Sequence, residues 1–195
     1  MPDEVTRVCV DPGHGMSNRT RNVYDPGATH REGNVLFQEA DIALRYALTL
    51  KDVFRARGIE VFMTRDDAED HAPVGQRADA AEEAECDLFI SLHLNDVESD
   101  QANGLEVLYR RDQDEDLALR LRAALVAATG HAIRPRDNKR RPDLAVLKFA
   151  GPSALIELGF IGNDGDRETL LKPQVRRAMC EAIADVTAPA TALVA

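Results

Sequence analysis

Three short apolar runs in this chain each stop at a side chain able to bind a metal or move a proton. Val8-Cys9-Val10 runs into Asp11-Pro12-Gly13-His14. Leu88-Phe89-Ile90-Ser91-Leu92 runs into His93-Leu94-Asn95. Ala154-Leu155-Ile156 runs into Glu157-Leu158-Gly159-Phe160. Strands that are apolar without strict alternation are buried on both faces, as in parallel sheets covered by helices. In open α/β folds, ligands bind outside the carboxyl ends of such strands. The three endings therefore point to one shared site.

The rest of the chain supplies the crossovers that such a sheet needs. Residues 36–57 repeat Ala40, Ala43, Ala47, Leu50 and Phe54, with Leu44 and Leu48, at helical spacing, and Gly58 follows as a stop. Ile59–Met63 reads as a strand, Pro73–Glu85 as a helix and Gly104–Tyr109 as a strand. Glu115–Thr129 reads as a helix, Leu144–Leu147 as a short strand, and a last helix starts at Pro173. Residues 15–35, rich in Gly, Asn, Pro, Arg and Ser, read as a long functional loop. This order predicts a three-layer α/β/α sandwich with a mostly parallel, roughly six-stranded sheet. Residues 1–195 read as one catalytic domain, with a core over about 7–186 and a frayed tail over 187–195.

Charge narrows the partners. The chain of 195 residues has a formal net charge of −10, which argues against nucleic acid and gives no general attraction to an anionic membrane. No segment approaches the roughly 20 apolar residues of a membrane span. The N-terminal residues do not form a signal peptide. The expectation is a monomer that is cytoplasmic as made, unless a leader has been lost. Cys9, Cys86 and Cys180 are widely spaced and do not form a disulfide framework. Against the acidic background, the run Ile133–Pro142 holds five cations, Arg134, Arg136, Lys139, Arg140 and Arg141.

A catalytic zinc takes three protein ligands from His, Glu or Asp and keeps a position for water. His14 and His93, each at a strand end, are the nitrogen candidates. Spacing leaves Glu39, early in the long helix, and Glu32, in the preceding loop, as rivals for the carboxylate. Glu157 ends an apolar strand and has no cation near it in sequence. Buried there, it needs either a metal site or an arginine such as Arg65 or Arg77. Asn95 is a candidate to orient a ligand or simply to form a turn. His30, His71 and His131 lie in polar stretches and read as surface residues.

The residues Asp11-Pro12-Gly13-His14-Gly15, Asp25-Pro26-Gly27-Ala28, Glu39-Ala40-Asp41, Val61–Arg65, Arg77, Ser91–Asn95, Gly104–Val107 and Ile156–Asn163 resemble the type-3 family of zinc-dependent N-acetylmuramoyl-L-alanine amidases. The likeness runs in order over roughly residues 7–185. It implies one Zn2+ per chain on His14, Glu39 and His93, with Glu157 as catalytic acid/base, and so favours Glu39 over Glu32. It also implies peptidoglycan as substrate, in the manner of a wall amidase or phage lysin. The chain departs from the family pattern in a longer stretch between His14 and Asp25, and in Met16 where a second Gly is common. Asp96–Asn103 is too short for the helical insertion that occludes some relatives, which implies an open groove. Stem peptides carry carboxylates, and Arg140 and Arg141 are the candidates to grip them.

Overall fold

A computed structural model describes residues 5–97 and 101–187. In chain order the elements are β1 (Arg7–Pro12), β2 (Gly15–Met16), β3 (Tyr24–Asp25), β4 (Thr29–Glu32), β5 (Val35–Gln38) and α1 (Glu39–Ala56). They continue with β6 (Glu60–Met63), α2 (Arg77–Glu83), β7 (Leu88–Asn95), β8 (Glu106–Tyr109), α3 (Glu115–Ala128) and β9 (Lys139–Arg140). The last are β10 (Ser153–Phe160), α4 (Asp164–Leu170) and α5 (Pro173–Thr187).

Six strands form the central sheet in the order β6-β1-β7-β10-β8-β9. Every pairing is parallel except β10 with β8. One face carries Val8, Val10, Ile90, Leu92 and Ile156 against Tyr46, Leu50 and Phe54 of α1, with α3 and α5 beside it. Each such buried Leu or Phe contributes roughly 1.5–3 kcal/mol. The other face carries Cys9, Phe89, Leu108 and Leu155 under Ala78 and Ala81 of α2 and under Val146, Leu147 and Phe149. The sandwich is thus three layers, with a thin second layer. Among the described residues no helix is long and apolar enough to cross a membrane.

The topology fixes where a site can form. From β1 the chain passes through α1 to β6 on one side; from β6 it returns through α2 to β7 on the other. The crossovers diverge between β1 and β7, and a crevice opens at their carboxyl ends. Register brings the ends level, with Pro12 beside Leu92 and His93 beside Glu157.

The structure corrects four readings of the sequence. Leu144–Leu147 is not a strand: Ala145–Lys148 is a 3-10 turn that seats Val146 and Leu147 on the Cys9 face. A four-residue apolar run does not by itself distinguish the two. The sixth strand is instead β9, within the basic run. The long loop contains two small hairpins, β2-β3 and β4-β5, and β5 pushes the start of α1 from residue 36 to Glu39. Helix α4, not anticipated, begins where the Asn163 side chain accepts from the Asp166 N–H. The expected tail beyond residue 187, and residues 98–100 of the short segment after Asn95, lie outside the described residues.

Candidate metal centre

The turn after β1 is locked from below. Asp11 is fully buried and accepts from Arg77 Nη1 at 2.8 Å, Thr64 Oγ1 at 2.6 Å and Ser91 Oγ at 2.6 Å. Burial alone would raise its pKa; the Arg77 charge and the two hydroxyls outweigh that and hold it below the usual range. Arg65 donates to the carbonyls of Pro12, Gly13 and Ala40, and Arg77 to those of Pro12 and His14. Both arginines are therefore spent on the turn, and neither neutralises Glu157.

This scaffold points three side chains at one spot. His14, at φ 60°, turns Nε2 to within 3.0 Å of Glu39 Oε1. His93 Nδ1 lies 2.8 Å from the same oxygen. The two rings stand edge to face with centroids 5.0 Å apart. Glu39 is nearly buried and is fixed further by the N–H of Leu94 on Oε1 and that of Ala28 on Oε2. Burial pushes its pKa up, but the hydrogen bonds from His14 and His93 win and hold it far below the usual range. His93 answers in the opposite sense: burial lowers its pKa, the Glu39 hydrogen bond and charge outweigh this, and the net shift is upward. The other rival carboxylate, Glu32, lies on β4 and pairs with Arg167 at 3.2 Å.

Two glycines make the cradle. A Cβ on Gly13 would sit 2.3 Å from His93 Cε1, and one on Gly27 would sit 2.6 Å from both Glu39 Oε2 and His14 Cδ2. One donor atom from each of His14, Glu39 and His93 lies within 4.8 Å of the others. Two imidazole nitrogens and a carboxylate oxygen at this spacing could hold a metal ion, and they are of the donor types that three-ligand zinc sites use.

Glu157 faces this cluster from β10. Its Oε2 is buried and has no hydrogen-bond partner among the described residues. Burial pushes its pKa up to about 7; Glu39 and Glu106 add to the rise, and His93 and His14 oppose it. The four residues share a cleft of about 450 Å³ with Asn95, Arg19, Arg141 and an apolar wall of Leu108, Leu144 and Leu155.

The N-acetylmuramoyl-L-alanine amidase family model matches residues 8–187. The chain belongs to this family. A probable cell wall amidase LytH of Staphylococcus epidermidis is 29% identical over 175 residues, covering 89% of this chain and 54% of that protein. The chain thus spans about half the length of that amidase. The germination-specific N-acetylmuramoyl-L-alanine amidase of Bacillus subtilis is 28% identical and is matched over 90% of this chain and 76% of its own. The fold is similar to that of the amidase AmiC2 of Nostoc punctiforme, with a TM-score of 0.80, 28% identity, and coverage of 93% and 94%.

The rim residues fall out unequally in this amidase-family cleft. Arg141 lines it, with its guanidinium paired to Asp143 at 2.9 and 2.8 Å. Arg140 does not line it. It sits opposite Tyr109 in register, on the other face of the pleat from Leu108, and pairs with Asp112 at 2.8 Å. Asn95 donates to Glu106 Oε1 at 2.9 Å and touches neither histidine by hydrogen bond. His71 and His131 are exposed and His30 half-buried.

Two residues of the site had no role assigned from the sequence. Asp25 Oδ2 lies 3.1 Å from His14 Nδ1, the ring nitrogen turned away from Glu39. Its signal was a carboxylate in a Pro-Gly turn between the first histidine and its helix, since metal-bound imidazoles commonly hold an acceptor on their second nitrogen. Glu106 stands directly across from Glu157 in the antiparallel β8-β10 pair. Its signal was a Glu in the middle of a buried strand, out of step with Leu105, Val107 and Tyr109.

Proposed function

We propose that this chain is a zinc-dependent N-acetylmuramoyl-L-alanine amidase that hydrolyses the amide between the lactyl group of N-acetylmuramic acid and the L-alanine of a peptidoglycan stem peptide. The observation that carries this reading is Glu157, a half-buried side chain in the cleft whose buried Oε2 has no hydrogen-bond partner among the described residues, facing two histidines and a glutamate that converge within 4.8 Å. A buried carboxylate oxygen without a partner is costly unless it serves chemistry or a cation.

His14, Glu39 and His93 would hold the zinc, one ion per chain. When bound, zinc supplies Lewis acidity toward a carbonyl oxygen and makes water acidic near neutral pH. Glu157 takes the proton of the attacking water on its free oxygen and returns it to the leaving alanine nitrogen. Asp25 keeps the His14 ring from rotating. Arg141 stands at the rim, where it meets a carboxylate of the substrate. The acidic surface does not draw the enzyme to the anionic wall polymer, so binding rests on such local cations.

The test combines product and metal analysis. Purified walls treated with the protein should release intact peptides with N-terminal alanine, identified by mass spectrometry. Chelation should abolish release and zinc restore it. Glu157→Ala should retain zinc and lose turnover. Release of single C-terminal amino acids instead would identify a carboxypeptidase and overturn the reading.

A further inference from the structure

A second cavity, of about 440 Å³, adjoins the cleft and is lined by Glu106, Arg134, Pro135, Arg136, Asp137 and Lys139. The two share a wall: Asn95 lines the cleft, Glu106 lines the cavity, and the Asn95 amide donates to Glu106. Both lie on the same sheet face, because Glu157 opposes Glu106, Leu155 opposes Leu108, and Leu108 opposes Lys139. The order across the sheet is therefore His14 after β1, His93 on β7, Glu157 on β10, Glu106 on β8 and Lys139 on β9.

That order is chemically polar. Glu106 is nearly buried, and its charge is met by Lys139 at 2.9 Å and Arg136 at 3.5 Å. Arg136 rests on the Phe160 ring, 5.0 Å from its centroid, and donates to the Asn103 carbonyl. Arg134 donates to the Asn103 side chain and has no carboxylate within ion-pair reach among the described residues. With Asp137 exposed, three cations face one engaged carboxylate and one solvated one. In a chain of net charge −10 this is a local positive pocket.

We infer that this pocket is the peptide-side subsite, binding a free carboxylate of the stem peptide beyond the scissile amide, so that the substrate lies with its sugar toward β1 and its peptide toward β9. The inference rests on the amidase reading above. Two chemical facts fix the direction. Glu157 returns its proton to the leaving nitrogen, so the leaving peptide lies on the Glu157 side of the histidines. The muramoyl lactyl carboxyl is consumed in the amide, leaving that sugar uncharged, whereas the peptide keeps carboxylates that guanidinium groups recognise.

The experiment compares N-acetylmuramoyl tripeptides whose peptide carboxylates are free or all amidated. The wild type should show a KM about tenfold lower for the free acid, as for one charge-assisted contact. Lys139→Gln should bring that preference to within about twofold. Arg134→Gln, at an exposed position, does the same without disturbing the buried Glu106. Equal KM values for the two substrates in the wild type, or a preference unchanged in both variants, would overturn the subsite. Calorimetric binding of the free tripeptide to the whole protein separates this from the function beneath it. Carboxylate-dependent binding lost in Arg134→Gln, with walls left uncut by the wild type, would uphold the subsite and sink the amidase. Cleavage with no carboxylate dependence would do the reverse.

Discussion

Asp25 Oδ2 lies 3.1 Å from Nδ1 of His14, while Nε2 of the same ring lies 3.0 Å from Glu39. The imidazole is thus held at both nitrogens, one toward a carboxylate behind it and one toward the candidate metal position. Burial would raise the Asp25 pKa, but hydrogen bonds from Asn18, the Gly27 N–H and His14 outweigh it, so the side chain stays ionised as an acceptor. Asp25→Ala should weaken zinc affinity by about 10–100-fold, read by competition with a chromophoric chelator. Asp25→Asn keeps the shape with a weaker acceptor and should fall between the two. Unchanged affinity in both would show that the loop backbone alone positions His14.

Gly13 is required by the ring it faces. A Cβ there would lie 2.3 Å from Cε1 and 2.6 Å from Nδ1 of His93, closer than any real contact. Gly13→Ala must displace His93, with a loss of zinc affinity on the order of 100-fold or more, since sub-ångström placement decides such sites. Gly33→Ala is the control. Its φ is +57° with nothing within 4 Å, so it should cost about 1 kcal/mol of stability and leave zinc binding alone. Metal titration beside thermal melts distinguishes the two outcomes.

The fold and most of the candidate cluster were legible in the sequence for one reason: burial on both faces writes strands as continuous apolar runs, and chemistry at their ends interrupts those runs. His14, His93 and Glu157 stand out because nothing local explains them. Glu39 was legible only with the family resemblance, because an acidic residue near a helix start has a bland electrostatic explanation. The basic run was harder. Its cations look equivalent in sequence, yet the β9 pleat sends Lys139 to the Glu106 face and Arg140 to Asp112. That division depends on which strand pairs with β8, a long-range contact that a two-residue strand does not announce. Asp25 and Glu106 escaped because each acts through a partner that only the folded loop or the strand pairing brings beside it.

Asp11 tests how far the site depends on its foundation. It has no solvent exposure and shares a 2.8 Å ion pair with Arg77, which also holds the His14 carbonyl. Removing one partner of a buried pair leaves the other charge uncompensated. Asp11→Ala should lower stability by about 3–5 kcal/mol in urea unfolding. A change under 1 kcal/mol would mean that water replaces the carboxylate, and that the turn is held by Arg65 and the backbone instead.

The pH dependence of the metal-free protein follows from Glu157 and His93 together. The Glu157 pKa is pushed up to about 7 from an ordinary value of 4.5, so the folded state holds a proton that the unfolded chain releases. Its effect is destabilising above about pH 7 and fades as the pH falls toward 4.5. His93 is raised above its ordinary 6.5, so it contributes stability below that pH and loses it as the pH climbs through its folded value. Both groups make the metal-free protein more stable near pH 5.5 than near pH 8, by on the order of 2 kcal/mol from Glu157 alone. Glu39, held low, contributes stability above its ordinary 4.5 and starts to lose it only below that value, outside this window. Glu157→Gln removes one of these two titrations while keeping the shape, so urea midpoints at the two pH values should draw together. An undiminished pH slope in that variant would show that the carboxylate is already relieved by solvent, and that its free oxygen is not held away from water.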